Sequence, residues 1–162
     1  KNFFPQEWSE FISLVPQKNR NNPEKYYYEK MIKGGKESKK FEDAWAKIEL
    51  SLLRIYTPKK KLEKMLKEKN KRKFALIECH YLSKNCFISF DYIKKNLRKI
   101  KHIQASIIHG HYDMICPPIS AFELHNALPK SRLFFTIAGH ASREKETKQK
   151  LIEEIELMRK KI

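Results

Sequence analysis

Two short apolar runs, residues 104–109 (QASIIH) and 132–137 (RLFFTI), constrain this chain more than any other feature. Gly110 ends the first run and Gly139 closes the second. Between them, residues 117–128 open on paired prolines and stop before Pro129, and residues 142–161 form a long polar-apolar repeat. Both stretches read as helices. Strand, helix, strand, helix at these spacings predicts α/β units on a parallel sheet. Two parallel strands do not make a stable sheet alone, because such strands are normally covered on both faces and flanked by others. The expectation is therefore a sheet of which this sequence encodes only a part. The first residue is Lys1 rather than Met, which fits a piece of a longer polypeptide.

The preceding hundred residues follow a different rule. Trp8, Phe11, Ile12 and Val15 keep helical spacing up to Pro16. Asn22-Pro23 pairs a capping side chain with proline at the first helical position, and Gly34-Gly35 stops that helix. Phe41, Ala44, Trp45, Ile48, Leu52 and Ile55 form a long amphipathic stripe closed by Thr57-Pro58. Helices are also predicted over 73–82 and 89–97. No repeat of fixed period is present. The division predicted is a helical domain over 1–100 and a strand–helix part over 101–162.

Composition narrows the class. The 162 residues include 35 Lys plus Arg against 19 Asp plus Glu, a formal net charge of +16, yet 41% are hydrophobic. That apolar content supports a buried core and excludes disorder throughout. No apolar run approaches the roughly 20 residues of a membrane-spanning helix. The three cysteines, Cys79, Cys86 and Cys116, form no even framework, and no signal peptide precedes them. Free thiols in a reducing, cytoplasmic setting are expected. Most of the excess charge lies between residues 55 and 108, and the segment from Lys59 to Lys73 alone holds nine basic and two acidic side chains. Leu62, Met65 and Leu66 give it one apolar helical face, so it reads as a solvated helix or loop; a phosphate-binding patch is the alternative. No aromatic is interleaved with these lysines, so a base-stacking nucleic-acid platform is not supported.

In parallel α/β sheets functional side chains sit on loops beyond the carboxyl ends of strands. The loop after the first run carries Asp113; the loop after the second carries His140. An acid at one strand end and a histidine at the next is the arrangement that orients an imidazole. The carboxylate holds the Nδ1 proton and leaves Nε2 as a base. The order acid then histidine, both late in the chain, fits hydrolases in which the nucleophile comes first. Taken singly, each residue has a plainer reading, Asp113 as a turn cap and His140 as an ordinary Gly-His. Metal chemistry finds no footing: His109-Gly110-His111 and Cys79-His80 are tight pairs without a second pair at zinc-ligand spacing. No cofactor is expected.

These residues lie within a longer resemblance. GHYDMICPPISAFELHNALP followed by FFTIAGHASRE resembles the C-terminal part of the prolyl iminopeptidases, α/β-hydrolase serine peptidases that remove N-terminal proline. The family's G-R-Y-D-x-x-C-P is matched by Gly110, His111, Tyr112, Asp113, Cys116 and Pro117, with His111 in place of Arg. Glu123, Leu124 and His125 match its Glu-Leu-His triplet. Gly139, His140, Ala141, Ser142 and Glu144 match its G-H-S-A-x-E ending, with Ala and Ser reordered. In the helical part, Phe4-Pro5 with Trp8 resembles the start of the family's cap domain. Ala44-Trp45 with Glu49 resembles A-W-x-x-W-E, with Ile48 for the second Trp, and 77–81 (IECHY) resembles I-E-x-H-Y.

The resemblance implies an α/β fold, namely the C-terminal part of an α/β-hydrolase with a mainly helical cap. It implies Asp113 and His140 as the acid and base of a catalytic triad, and Glu49 and Glu78 as cap carboxylates for the substrate's free amino terminus. The implied partner is a peptide with an N-terminal proline, whose secondary ammonium calls for anionic acceptors in a partly dry pocket. Glu78 sits in the apolar and aromatic stretch 74–82 (FALIECHYL), where a glutamate needs a partner. A salt bridge to a nearby lysine is the alternative for both glutamates. Cys116 is implied as a wall of the site rather than a nucleophile. Neither G-x-S-x-G nor the family's H-G-G-P-G oxyanion segment occurs in the sequence, so the chain alone is expected to be inactive. Two other readings remain. One is a non-enzymatic basic interaction module on a degenerate hydrolase scaffold. The other is a different α/β-hydrolase, such as an esterase or epoxide hydrolase, which would give no reason for Glu49 and Glu78.

Overall fold

Proline and asparagine set the first two helix starts of the computed structural model, which describes residues 2–68, 70–89 and 91–160. Helix α1 (Pro5–Ser13) begins on its proline, and α2 (Pro23–Ile32) is capped by Asn22, whose Oδ1 accepts the Lys25 amide at 2.9 Å. Gly34, at φ +67°, takes the left-handed conformation that ends α2. Helices α3 (Ser38–Leu52), α4 (Lys59–Met65) and α5 (Lys71–Ser83) follow. The chain then passes through a short turn into α6 (Tyr92–Asn96). The C-terminal part is β1 (Ala105–Gly110), α7 (Ile119–Ala127), β2 (Ser131–Thr136) and α8 (Lys145–Arg159). The structure is mostly helical, with one parallel two-stranded sheet paired from Ala105↔Ser131 to Gly110↔Thr136.

The chain divides into two compact units, Lys1–Ser51 with Thr57–Phe90, and Leu52–Tyr56 with Asp91–Ile162. The first has an aromatic core. Phe11 stacks on Tyr27 with ring centroids 4.4 Å apart, and Trp45 meets both rings at 5.6 Å. Val15, Met31, Phe41, Ala75 and Cys79 complete the cluster. The buried Tyr27 hydroxyl donates to the Phe11 carbonyl at 2.8 Å, which satisfies its polar end. On α4 the apolar Leu62 and Met65 are half-buried while the described lysines are exposed. Lys69 and the side chains of Lys71 and Arg72 lie outside the described residues, as does Phe90 of the helix read at 89–97.

In the second unit α8 is held to the sheet by polar pairs. Buried Glu154 accepts from Ser106 at 2.6 Å and pairs with Arg132 at 2.5 Å. The Thr136 and Thr147 hydroxyls meet at 2.6 Å. Apolar side chains of the strands are only half-buried, and Phe135 is exposed. A two-stranded sheet cannot give its strands the cover that their composition suits.

Several element boundaries differ from the sequence reading by one or two residues, and three helix ends differ by more or for a visible reason. The stripe of α3 was expected to reach Ile55, but the helix ends at Leu52. The Leu53 carbonyl instead accepts the Ala141 amide at 2.8 Å. The last helix begins at Lys145 rather than Ser142, because Glu144 takes an extended conformation and turns its carboxylate to the Gly139 amide, 2.7 Å away. Helix α6 is also shorter than its apolar pattern, five residues from Tyr92.

Candidate active site

The parallel pairing makes the carboxyl ends of β1 and β2 emerge side by side. The loops that leave them are tied together: the His111 amide donates to the Thr136 carbonyl at 2.8 Å and the Tyr112 amide to the Ala138 carbonyl at 3.0 Å. This approach needs glycine at position 110. A Cβ there would overlap the Gly139 carbonyl oxygen and stand 2.6 Å from that of Ala138, both backbone atoms that cannot swing away. Gly110→Ala should therefore destabilise the fold by about 3 kcal/mol, read from the midpoint of a urea titration of the chain. An unshifted midpoint would mean the loops part at little cost.

Asp113 sits where the first loop turns back and is only 6% exposed. Its Oδ1 accepts the amides of Ile115 at 3.0 Å and Cys116 at 2.8 Å. Its Oδ2 faces Nδ1 of His140 at 3.0 Å. A carboxylate can only accept, so in this contact the proton lies on Nδ1, which in the neutral imidazole leaves the lone pair on Nε2. The His140 side chain is 37% exposed, open enough to meet a reactant. Its loop is fixed from three directions. The Ile137 amide donates to Glu146 Oε2 at 2.5 Å, the Gly139 amide to Glu144, and the Ala141 amide to Leu53. The structure thus brings Asp113 and His140 into hydrogen-bonding contact from separate strand ends.

One neighbour escaped the sequence reading. His109, on β1, places Nε2 at 3.5 Å from the same Asp113 oxygen and at 2.9 Å from the Cys116 carbonyl. Its residue type had drawn attention only as half of a His-Gly-His pair. The i,i+4 separation from Asp113 across a turn was the available signal.

Glu49 and Glu78 both belong to the first unit. The Trp45 indole donates to Glu78 Oε2 at 2.7 Å, and Glu49 lies one turn beyond Trp45 on α3. Both are half-buried. Burial, reinforced by the nearby carboxylates of Glu78, Glu24 and Glu49, pushes the Cys79 thiol far above its ordinary value. That thiol is accordingly held in its neutral form. Glu24, in the first turn of α2, is a third carboxylate in this neighbourhood, and the sequence reading did not single it out.

No protein-family profile matches the chain. Individual proteins do. The chain is 32% identical over 145 residues to the proline iminopeptidase of Arabidopsis thaliana, which covers 87% of this chain and 38% of that protein. It is 28% identical over 155 residues to the proline iminopeptidase of Neisseria gonorrhoeae, covering 94% of this chain and 49% of that one. The proline iminopeptidase of Xanthomonas citri is 38% identical over 81 residues, 49% of this chain and 26% of that protein. The chain resembles the C-terminal part of proline iminopeptidases. It spans less than half the length of these relatives. The matches to the Arabidopsis and Neisseria proteins cover so much of the chain that the proline iminopeptidase likeness runs through both compact units.

Cys116 serves the site through its backbone: the amide donates to Asp113 and the carbonyl faces His109 Nε2, while the residue itself is exposed. Among the described residues no cluster of three or more His, Cys, Asp or Glu is placed to hold a metal ion, and no helix is long and apolar enough to cross a membrane.

Proposed function

We propose that this chain forms the helical cap and the last two strand–helix units of an α/β-hydrolase, a serine aminopeptidase that releases N-terminal proline from peptides. The observation that carries the reading is the 3.0 Å contact between buried Asp113 and His140, delivered by the ends of two adjacent parallel strands. In this mechanism His140 Nε2 takes the proton of a serine hydroxyl as the serine oxygen attacks the proline carbonyl carbon. The imidazolium then gives that proton to the departing peptide amine, and water removes the prolyl group by the same steps. Asp113 holds the imidazole in the tautomer the first step requires. The serine lies outside this sequence, so the 162-residue chain by itself is expected to leave proline-naphthylamide intact. A longer polypeptide that adds the G-x-S-x-G and H-G-G-P-G segments should hydrolyse it. Enzyme-like turnover by the chain alone, or none by the longer polypeptide, overturns the proposal.

Glu49 and Glu78 are proposed to receive the substrate's ammonium, with the Trp45 indole orienting the Glu78 carboxylate. The relatives' name, proline iminopeptidase, supports this choice over an esterase. A charged hydrogen bond of this kind is worth about 1.5–3 kcal/mol, so Glu78→Gln should erode the preference for a free over an N-acetylated terminus roughly tenfold or more. Unchanged discrimination would remove Glu78 from amine recognition.

A further inference from the structure

His109 is the fifth residue of β1, and its side chain is 19% exposed. Its Nε2 lies 2.9 Å from the Cys116 carbonyl oxygen. A carbonyl only accepts, so Nε2 must carry the proton. The same N–H stands 3.5 Å from Asp113 Oδ2, too long for a strong hydrogen bond but close enough for a charge–dipole contact. Cys116 is therefore gripped twice, its amide by Asp113 Oδ1 at 2.8 Å and its carbonyl by His109. Together these bonds close the turn that carries the carboxylate. On the other side, the His109 ring meets Phe135 edge-on at 6.5 Å, and its carbonyl accepts the Thr136 hydroxyl at 3.4 Å. The ring has protein contacts on both β2 and the loop.

We propose that His109 is a positioning residue: as the Nε2–H tautomer it locks the turn from Asp113 to Cys116 and keeps Oδ2 of Asp113 aimed at Nδ1 of His140. Two imidazoles then share one carboxylate with opposite tautomers, His109 protonated on Nε2 and His140 on Nδ1. The catalytic consequence rests on the peptidase reading above; the placement of the protons does not.

The test separates the two. Nitrogen-15 spectra of the histidine rings in this chain near neutral pH should show His109 protonated on Nε2 and His140 on Nδ1. His109→Leu should broaden or abolish the His140 Nδ1–H resonance. His109→Gln, whose amide can still donate to the Cys116 carbonyl, should keep it. In the full-length hydrolase, His109→Leu should lower kcat about tenfold or more with KM unchanged, and His109→Gln should restore most of the loss. A His109 protonated on Nδ1 overturns the proposal. So does a His140 resonance or a kcat that His109→Leu leaves as it was. Should leucine unfold the chain, the tautomer of the unaltered protein and the glutamine variant still decide. The spectra need no substrate, so an inactive parent would sink the peptidase reading without touching them.

Discussion

If the longer polypeptide is the serine aminopeptidase proposed above, replacing His140 by alanine in it should lower the rate of proline-naphthylamide hydrolysis by about three to four orders of magnitude, with KM little changed. Alanine removes the group proposed to take the serine proton. His109 lies against the same carboxylate, but its Nε2–H is committed to the Cys116 carbonyl. Asp113→Asn should cost about as much by another route. The amide keeps the shape of the carboxylate but offers an N–H toward Nδ1 where an acceptor stood, which drives the imidazole to the tautomer with its proton on Nε2. Such a histidine cannot act as base. Because the two residues act as one device, the double variant should be scarcely slower than the worse single one. Steady-state kinetics on folded variants, with binding of a proline-containing product as a control, would check this. Near-normal turnover by either variant would take the dyad out of the mechanism.

What the sequence made legible followed from local chemistry. The Asn22-Pro23 cap, the stop at Gly34-Gly35 and the alternation of strand and helix after residue 104 depend on side chains acting on their own neighbourhood. The contact of Asp113 with His140 was legible at one remove, because parallel strands must send their carboxyl ends the same way. What escaped was decided by partners distant in sequence. No breaker stands at Leu53; α3 ends there because the Leu53 carbonyl serves the amide of Ala141. The last helix starts late because Glu144 spends its carboxylate on Gly139. His109 looked like one more residue of an apolar strand, since its role depends on where the turn after Asp113 places the Cys116 carbonyl. Glu24 escaped in the same way, since its effect falls on the thiol of Cys79 on α5, far from it in sequence.

Trp45 ties stability to the proposed chemistry, and its removal should have the largest effect on folding. It is 3% exposed and packs on Phe11 and Tyr27, so Trp45→Ala should destabilise the first unit by about 3–5 kcal/mol through lost burial and the cavity left behind. A domain is typically stable by only about 5–15 kcal/mol, so this loss takes a large share. Trp45→Phe separates the two functions of the side chain. Phenylalanine retains most of the aromatic packing but has no N–H for Glu78, so it should cost roughly 1–2 kcal/mol. Urea unfolding can be followed through Trp8, the other tryptophan of the chain, whose ring lies 5.7 Å from Phe11 in the same unit. Equal midpoints for the alanine variant and the parent chain would show that the cluster around Trp45 does not hold the unit together. A phenylalanine variant that folds well yet loses discrimination against N-acetylated substrate would place the indole–carboxylate bond in amine recognition. If that variant discriminates as before, Glu78 either has no part in recognition or needs no help from the indole, and Glu78→Gln distinguishes these.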